Sequence, residues 1–243
     1  MKRLRLFFVF LLISSATVGQ VKPEDTEVWE PEPPVVASAE KGLPPSDAII
    51  LFDGSSLDAW QEIGSKNKIQ WELYDGTMRV VPNTGSIETR QAFGDIQLHL
   101  EWKAPIGTEE YKGQNKSNSG VFLQSRYEVQ ILDSYQNRTY SNGQAGAVYK
   151  QHAPLVNAMK KPGEWQAYDI VFKAPRFDDN GSKVSSGYLT VFHNGILIQN
   201  HVEILGTTEY LGQPKNEAHG KAPIRLQDHE SPISFRNIWV REL

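Results

Sequence analysis

Through the middle of the chain, apolar and polar residues alternate with a period of two. Ile96, Leu98, Leu100 and Trp102 interleave with Gln97, His99, Glu101 and Lys103, and Tyr127, Val129 and Ile131 interleave with Arg126, Glu128 and Gln130. Leu226 stands between Arg225 and Gln227, and Ile238 and Val240 flank Trp239 near the end. Successive side chains of a strand point to opposite faces, so each run predicts a strand with one face on a core and the other on solvent or ligand. Tyr188–His201 predicts a hairpin, because Asn194-Gly195 between two apolar runs suits a turn that needs positive φ at both central residues. Asp75-Gly76 gives a second signal of that kind. Long helical periodicity is absent, and only Ser55–Trp60 and Pro154–Lys160 suggest short helices. Many strands, frequent turn signals and long Gly/Asn-rich loops predict an all-β, two-sheet antiparallel sandwich of jelly-roll type, with the polar strand faces lining a groove.

The first 46 residues break this pattern. Lys2, Arg3 and Arg5 precede an apolar run from Leu6 to Ile13 and a small-residue stretch from Ser14 to Gly19, which reads as an export signal over residues 1–19. The apolar run is too short to span a bilayer, which takes about 20 residues. Residues 20–46 are rich in Pro and Glu and read as an extended or disordered linker. The domain is then expected over 47–243, with export to the periplasm or the extracellular space. Removing residues 1–19 takes away three of the 25 basic residues and none of the 29 acidic ones, moving the formal charge from −4 to −7. An acidic chain without a basic cluster is a poor partner for nucleic acid, and a neutral ligand such as a carbohydrate fits better. With no Cys, neither a disulfide nor a lipid-bearing thiol is available.

The densest polar chemistry lies between Asn118 and Asn157, where a Glu-x-Gln strand, an Asp-Ser turn, a Gly-rich segment and several tyrosines crowd together. This span, with LFDGSSLDAWQ (51–61), GQAGAVY (143–149), APLVNA (153–158), KPGEWQAYDIVF (161–172), VFHNG (191–195) and the closing LQDH…FRNIWVRE, resembles the 3-keto-disaccharide hydrolase family in ordered blocks from about Ile49 to Leu243. The resemblance implies a concanavalin-like jelly roll acting on a glycoside oxidised at C3 by a separate sugar dehydrogenase. A ketone at C3 acidifies the hydrogen on C2. A base can then form an enolate that expels the C1 substituent, with or without later addition of water. Such a site needs a base over C2, a positive or hydrogen-bond-donating group at the C3 oxygen, and an acid for the departing oxygen.

Glu128, Gln130 and Arg126 lie two apart and are expected on one face, with Glu128 the first candidate base and Arg126 and Gln130 binding hydroxyls. His229 is a candidate acid or base, Arg236 a candidate for polarising the ketone, and Glu101 the second carboxylate. Asn118, Tyr149, Gln227 and Asp228 suit substrate contacts, and Trp165 suits stacking on a sugar ring. Asp133 either converges on Glu128 through a bulge or ties its own turn. His193 reads as structural; His201 and His219 stay open. No short metal-ligand motif is present, although a divalent ion held by scattered ligands is compatible with the residues. Two other readings stand beside this one: a conventional glycoside hydrolase, against which Gln130 speaks, and a non-catalytic carbohydrate-binding jelly roll.

Overall fold

The strands that the alternation predicts are present, and their pairing decides which polar residues meet. A computed structural model describes residues 21–37, 43–64 and 68–243; the residues read as an export signal lie outside them. Among the described residues no helix is long and apolar enough to cross a membrane. Residues 1–35 and 36–243 form separate units. The described part of the first holds one 3₁₀ turn, Pro23–Thr26.

Among its described residues the second unit carries fifteen strands. Eight form one antiparallel sheet: β1 (Ile49–Phe52), β3 (Glu72–Tyr74), β4 (Thr77–Arg79), β6 (Ile96–Lys103), β9 (Gln166–Lys173), β12 (Gly187–His193), β13 (Ile196–Ile204) and β15 (Ser234–Glu242). Their order is β13-β12-β9-β6-β15-β4-β3, and β1 also pairs with β15. Five form the other: β2 (Trp60–Glu62), β5 (Ile87–Thr89), β7 (Ser119–Leu123), β8 (Tyr127–Ile131) and β14 (Arg225–Leu226), ordered β2-β5-β14-β7-β8. β10 (Arg176–Phe177) and β11 (Lys183–Ser185) make a small separate ribbon. This is the all-β antiparallel sandwich that the alternation predicts.

Both foreseen turns close hairpins. Asn194 and Gly195 take φ of 53° and 78° between β12 and β13, and Asp75 and Gly76 take 48° and 66° between β3 and β4. The two short helices do not form. Residues 55–60 make turns leading into β2, and 154–160 make an irregular loop pinned by Asn194 Nδ2, which donates to the Ala158 carbonyl at 2.9 Å.

The core lies between the two sheets. Leu98, Leu100 and Trp102 of β6 and Tyr168, Ile170 and Phe172 of β9 face Val121 and Leu123 of β7 and Tyr127, Val129 and Ile131 of β8. Burial of this apolar surface is the main favourable term of folding, and it fixes the register of each strand, since a one-residue slip would turn the apolar set outward. With Tyr127, Val129 and Ile131 inward, Glu128 and Gln130 must stand on the outer face of the five-stranded sheet. With Leu98, Leu100 and Trp102 inward, His99 and Glu101 must stand on the outer face of the eight-stranded sheet. The two predicted carboxylates are therefore on opposite sides of the sandwich.

Candidate active site

A surface strand would leave Glu128 and Gln130 in water, yet every residue of β8 is buried. The segment following β8 returns along its free edge. Gln130 N donates to the Ala147 carbonyl (2.9 Å), Gly146 N to the Gln130 carbonyl (2.8 Å) and Tyr149 N to the Glu128 carbonyl (3.1 Å). Glu128 N in turn donates to Thr208 Oγ1 at 2.9 Å. Loop segments thus wall in the outer face of the sheet, and the space left is a cavity of about 260 Å³. It is lined by Asn118, Phe122, Glu128, Gln130, Tyr149, Thr208, Tyr210, Arg225, Gln227 and His229.

Strand register builds the floor. Glu128 pairs with Phe122, Phe122 with Arg225, and Arg225 with Glu88, so a row runs across β8, β7, β14 and β5. The Arg225 guanidinium carbon lies 3.7 Å from the centre of the Phe122 ring, a cation–π contact that holds the cation within the row. Gly120 leaves room for the carboxyl: a Cβ there would meet Glu128 Oε1 at 2.5 Å and Phe122 Cε2 at 2.9 Å.

Burial dominates the electrostatics. Glu128 is 4 % exposed, and desolvation pushes its carboxyl up to about 8 against the opposing pull of the Arg225 guanidinium. A carboxyl that titrates near neutrality can accept a proton and return it. Burial, the hydrogen bond with Tyr140 and the nearby Glu128 raise the Tyr149 phenol well above its usual range, so that it stays protonated. Its hydroxyl lies 2.6 Å from that of Tyr140, and the Lys150 ammonium lies 5.7 Å from its ring centre.

Six of the residues singled out from sequence line this cavity: Glu128, Gln130, Asn118, Tyr149, Gln227 and His229. The others stand elsewhere. Arg126 precedes β8 at the hairpin end, and its guanidinium donates to the Gln124 carbonyl at 3.0 Å. Asp228 is spent on backbone: its carboxylate accepts from the Thr84 and Gly85 amides at 2.9 and 3.0 Å and from the Glu230 amide at 2.9 Å. Glu101 and Arg236 pair with each other at 2.6 Å on the far sheet. Trp165 is on that side too, with Arg236 4.2 Å and Lys103 4.6 Å from its ring centre. Asp133 follows the turn reading: Oδ1 accepts from Tyr135 N at 3.0 Å and Oδ2 lies 3.1 Å from the Lys116 ammonium. His193 is wholly buried between Trp102 and Tyr168. Burial lowers it to about 3, and it stays neutral.

Sequence reasoning noted Arg225 near His229 but gave it no role, and it missed Phe122, Thr208 and Tyr210 as lining residues. Arg225 carried a signal, since it shares a face with Gln227 around buried Leu226. Phe122 reads as core, and nothing local marks the loop residues 208 and 210. Among the described residues no group of three His, Asp or Glu side chains is placed to hold a metal ion.

Comparison with known proteins gives a consistent picture. Residues 47–241 match the profile of a 3-keto-alpha-glucoside-1,2-lyase-like domain. Among solved structures, a "putative glycosyl hydrolase" from Parabacteroides distasonis is 48% identical, with a TM-score of 0.86 over 92% of this chain and 97% of that one. A second protein of that description from the same organism is 25% identical, with a TM-score of 0.57 over 81% and 99% of the two chains. No curated protein matches significantly.

Proposed function

Because the chain belongs to the 3-keto-alpha-glucoside-1,2-lyase-like family, we propose that it cleaves 3-keto-glycosides by elimination across C1 and C2, with Glu128 as the base. The coarser assignment, a glycosyl-hydrolase-like carbohydrate-active enzyme, follows from the family and the relatives. The observation that carries the finer one is Glu128 itself: a buried carboxyl raised to about 8 and, among the described residues lining the cavity, the sole acidic group. Conventional glycosidases need two carboxyl groups flanking the scissile bond. One base near neutrality suits proton abstraction beside a ketone.

In the proposed reaction the ionised Glu128 takes the proton from C2, and the electron pair moves into an enolate on the C3 oxygen. The Arg225 guanidinium stabilises that developing charge. Collapse of the enolate restores the C3 ketone, forms the C1–C2 double bond and expels the C1 oxygen. That oxygen receives a proton from His229, and the proton taken up by Glu128 passes through water back to His229, so that both groups return to their starting forms. Addition of water to the enone would turn elimination into net hydrolysis. Asn118, Gln227 and Thr208 supply hydrogen bonds to ring hydroxyls. At about 260 Å³ the cavity falls below the roughly 300–1,000 Å³ of pockets for drug-sized ligands, which suits a single sugar ring. The aglycone then occupies the neighbouring cavity of about 600 Å³, which shares Asn118 and His229 and adds Ile106, Thr108 and Tyr111. A separate dehydrogenase would supply the ketone, and residues 1–19 would direct export.

The test is incubation of the purified protein with a 3-keto-glucoside and with its unoxidised parent while aglycone release is followed. Release from the oxidised compound alone supports the reading. Equal release from both would favour a conventional hydrolase, and binding without release a carbohydrate-binding module.

A further inference from the structure

The cavity floor contains a conflict among hydrogen-bonding groups. Gln130 is 1 % exposed and four oxygens face its amide. On one side stand Gln114 Oε1 at 3.0 Å and Asn118 Oδ1 at 3.4 Å. On the other stand Glu128 Oε1 at 2.9 Å and the Ser119 carbonyl at 3.2 Å. A carboxamide has donors at one end only, so it cannot serve both sides.

Neither amide on the first side is free to turn over. Gln114 Nε2 donates to the Gly143 carbonyl at 2.9 Å and to Thr139 Oγ1 at 3.1 Å, and reversing it would set oxygen against a carbonyl. Asn118 Nδ2 donates to the Gln114 carbonyl at 2.8 Å. Both of their oxygens are therefore held as acceptors. Of the four oxygens around Gln130, only Glu128 can become a donor, by binding a proton. When it does, its O–H serves Gln130 Oε1 while Nε2 serves Gln114 and Asn118. When Glu128 is ionised, Nε2 is needed at the carboxylate and at Ser119, and Gln114 loses its donor.

We propose that Gln114 is a positioning residue that holds the proton on Glu128 through the Gln130 amide, and that this amide turns over each time Glu128 gains or loses its proton. Its catalytic meaning rests on Glu128 being the base; the hydrogen-bond conflict does not. The other titratable groups around Glu128 are Arg225 from β14, which favours the carboxylate, Tyr149, Tyr210 and His229, which line the same cavity, and Tyr140 beside Tyr149. The device gives a matched partner to both forms of a base that must change form twice per turnover.

Two measurements without substrate decide it. In the unaltered protein, the side-chain NH₂ resonances of Gln130 and the carboxyl carbon resonance of Glu128 are expected to titrate with one shared midpoint. In Gln114→Met, and in Gln114→Ala as a second variant, that midpoint is expected to fall by about one pH unit, the worth of one hydrogen bond, in protein that remains folded. Gln130 resonances that ignore the Glu128 titration, or a midpoint unmoved in the folded variants, would overturn the proposal. Activity adds a separate check: the acid limb of kcat/KM on a 3-keto-glucoside should shift to lower pH in Gln114→Met by the same amount. A protein inert toward the keto-sugar would defeat the functional reading while leaving the titration result standing.

Discussion

Burial that outweighs the pull of the nearest cation is what separates Glu128 from the other described carboxylates. Its native carboxyl, raised to about 8, binds a proton over a range where the unfolded chain does not. The stability it contributes is thus complete below its unfolded value near 4.5 and is lost as pH rises through 8. Glu128→Gln removes that penalty. The variant should lose activity by about 10²–10⁴-fold while its thermal midpoint at pH 8.5 rises by ~5 °C or more, and the two proteins should melt alike at pH 4. Calorimetry across that range checks the sign. At the facing position, Gly120→Ala adds a methyl where the carboxyl lies. It should cost about 10²-fold in kcat by displacing the base, with an unchanged far-ultraviolet circular dichroism spectrum. Arg225→Gln should lower kcat by about 10²–10³-fold if it serves the enolate, which steady-state kinetics would show.

At the scale of elements, the strands were legible because apolar alternation both predicts a strand and decides which face is buried. Ile96 to Lys103 alternates buried and half-buried without exception. The alternation around Tyr127, Val129 and Ile131 likewise put Glu128 and Gln130 on one face. What alternation cannot give is the neighbour. Arg225 belongs beside Phe122 only because β14 lies between β5 and β7, a pairing that joins residues some hundred positions apart and leaves no local trace. The same blindness put Glu101 and Arg236 in the site. They are partners in β6 and β15, brought opposite each other next to a bulge at which Asn237 takes φ of 47°. There they join a network centred on His99, which stacks on Trp239 and lies 2.7 Å from Asp169 and 3.9 Å from Glu101. Burial opposes the charge of His99, but the two carboxylates outweigh it and raise it to about 9. Its stabilising contribution is present below pH 6.5 and lost as pH rises through 9. His99→Gln should therefore lower the thermal midpoint at pH 6 and have little effect at pH 10, and leave kcat on the keto-sugar unchanged at either pH.

On the scale of the whole domain, the two outer faces of the sandwich have different work. The eight-stranded sheet carries ion pairs that tie its strands together, while the five-stranded sheet is roofed by loops and holds the cavity. That roof comes from residues 140–149, which the sequence marks through its Gly-rich block 143–149, and from 205–210, where no residue carried a functional mark. The adjoining cavity with Tyr111 and Ile106 predicts dependence on the leaving group. Tyr111→Ala should raise KM for a 3-keto-glucoside with a bulky aglycone by about tenfold and leave that for the methyl glycoside alone, the difference a partly buried aromatic contact makes.

The most direct measurement follows the ultraviolet absorbance of the enone as a 3-keto-glucoside is mixed with the protein and with Glu128→Gln. The account predicts absorbance that grows with aglycone release in the former, is nearly absent in the latter, and never develops from the unoxidised glucoside. A folded Glu128→Gln protein with undiminished turnover, or release from the unoxidised parent at the same rate, would contradict it.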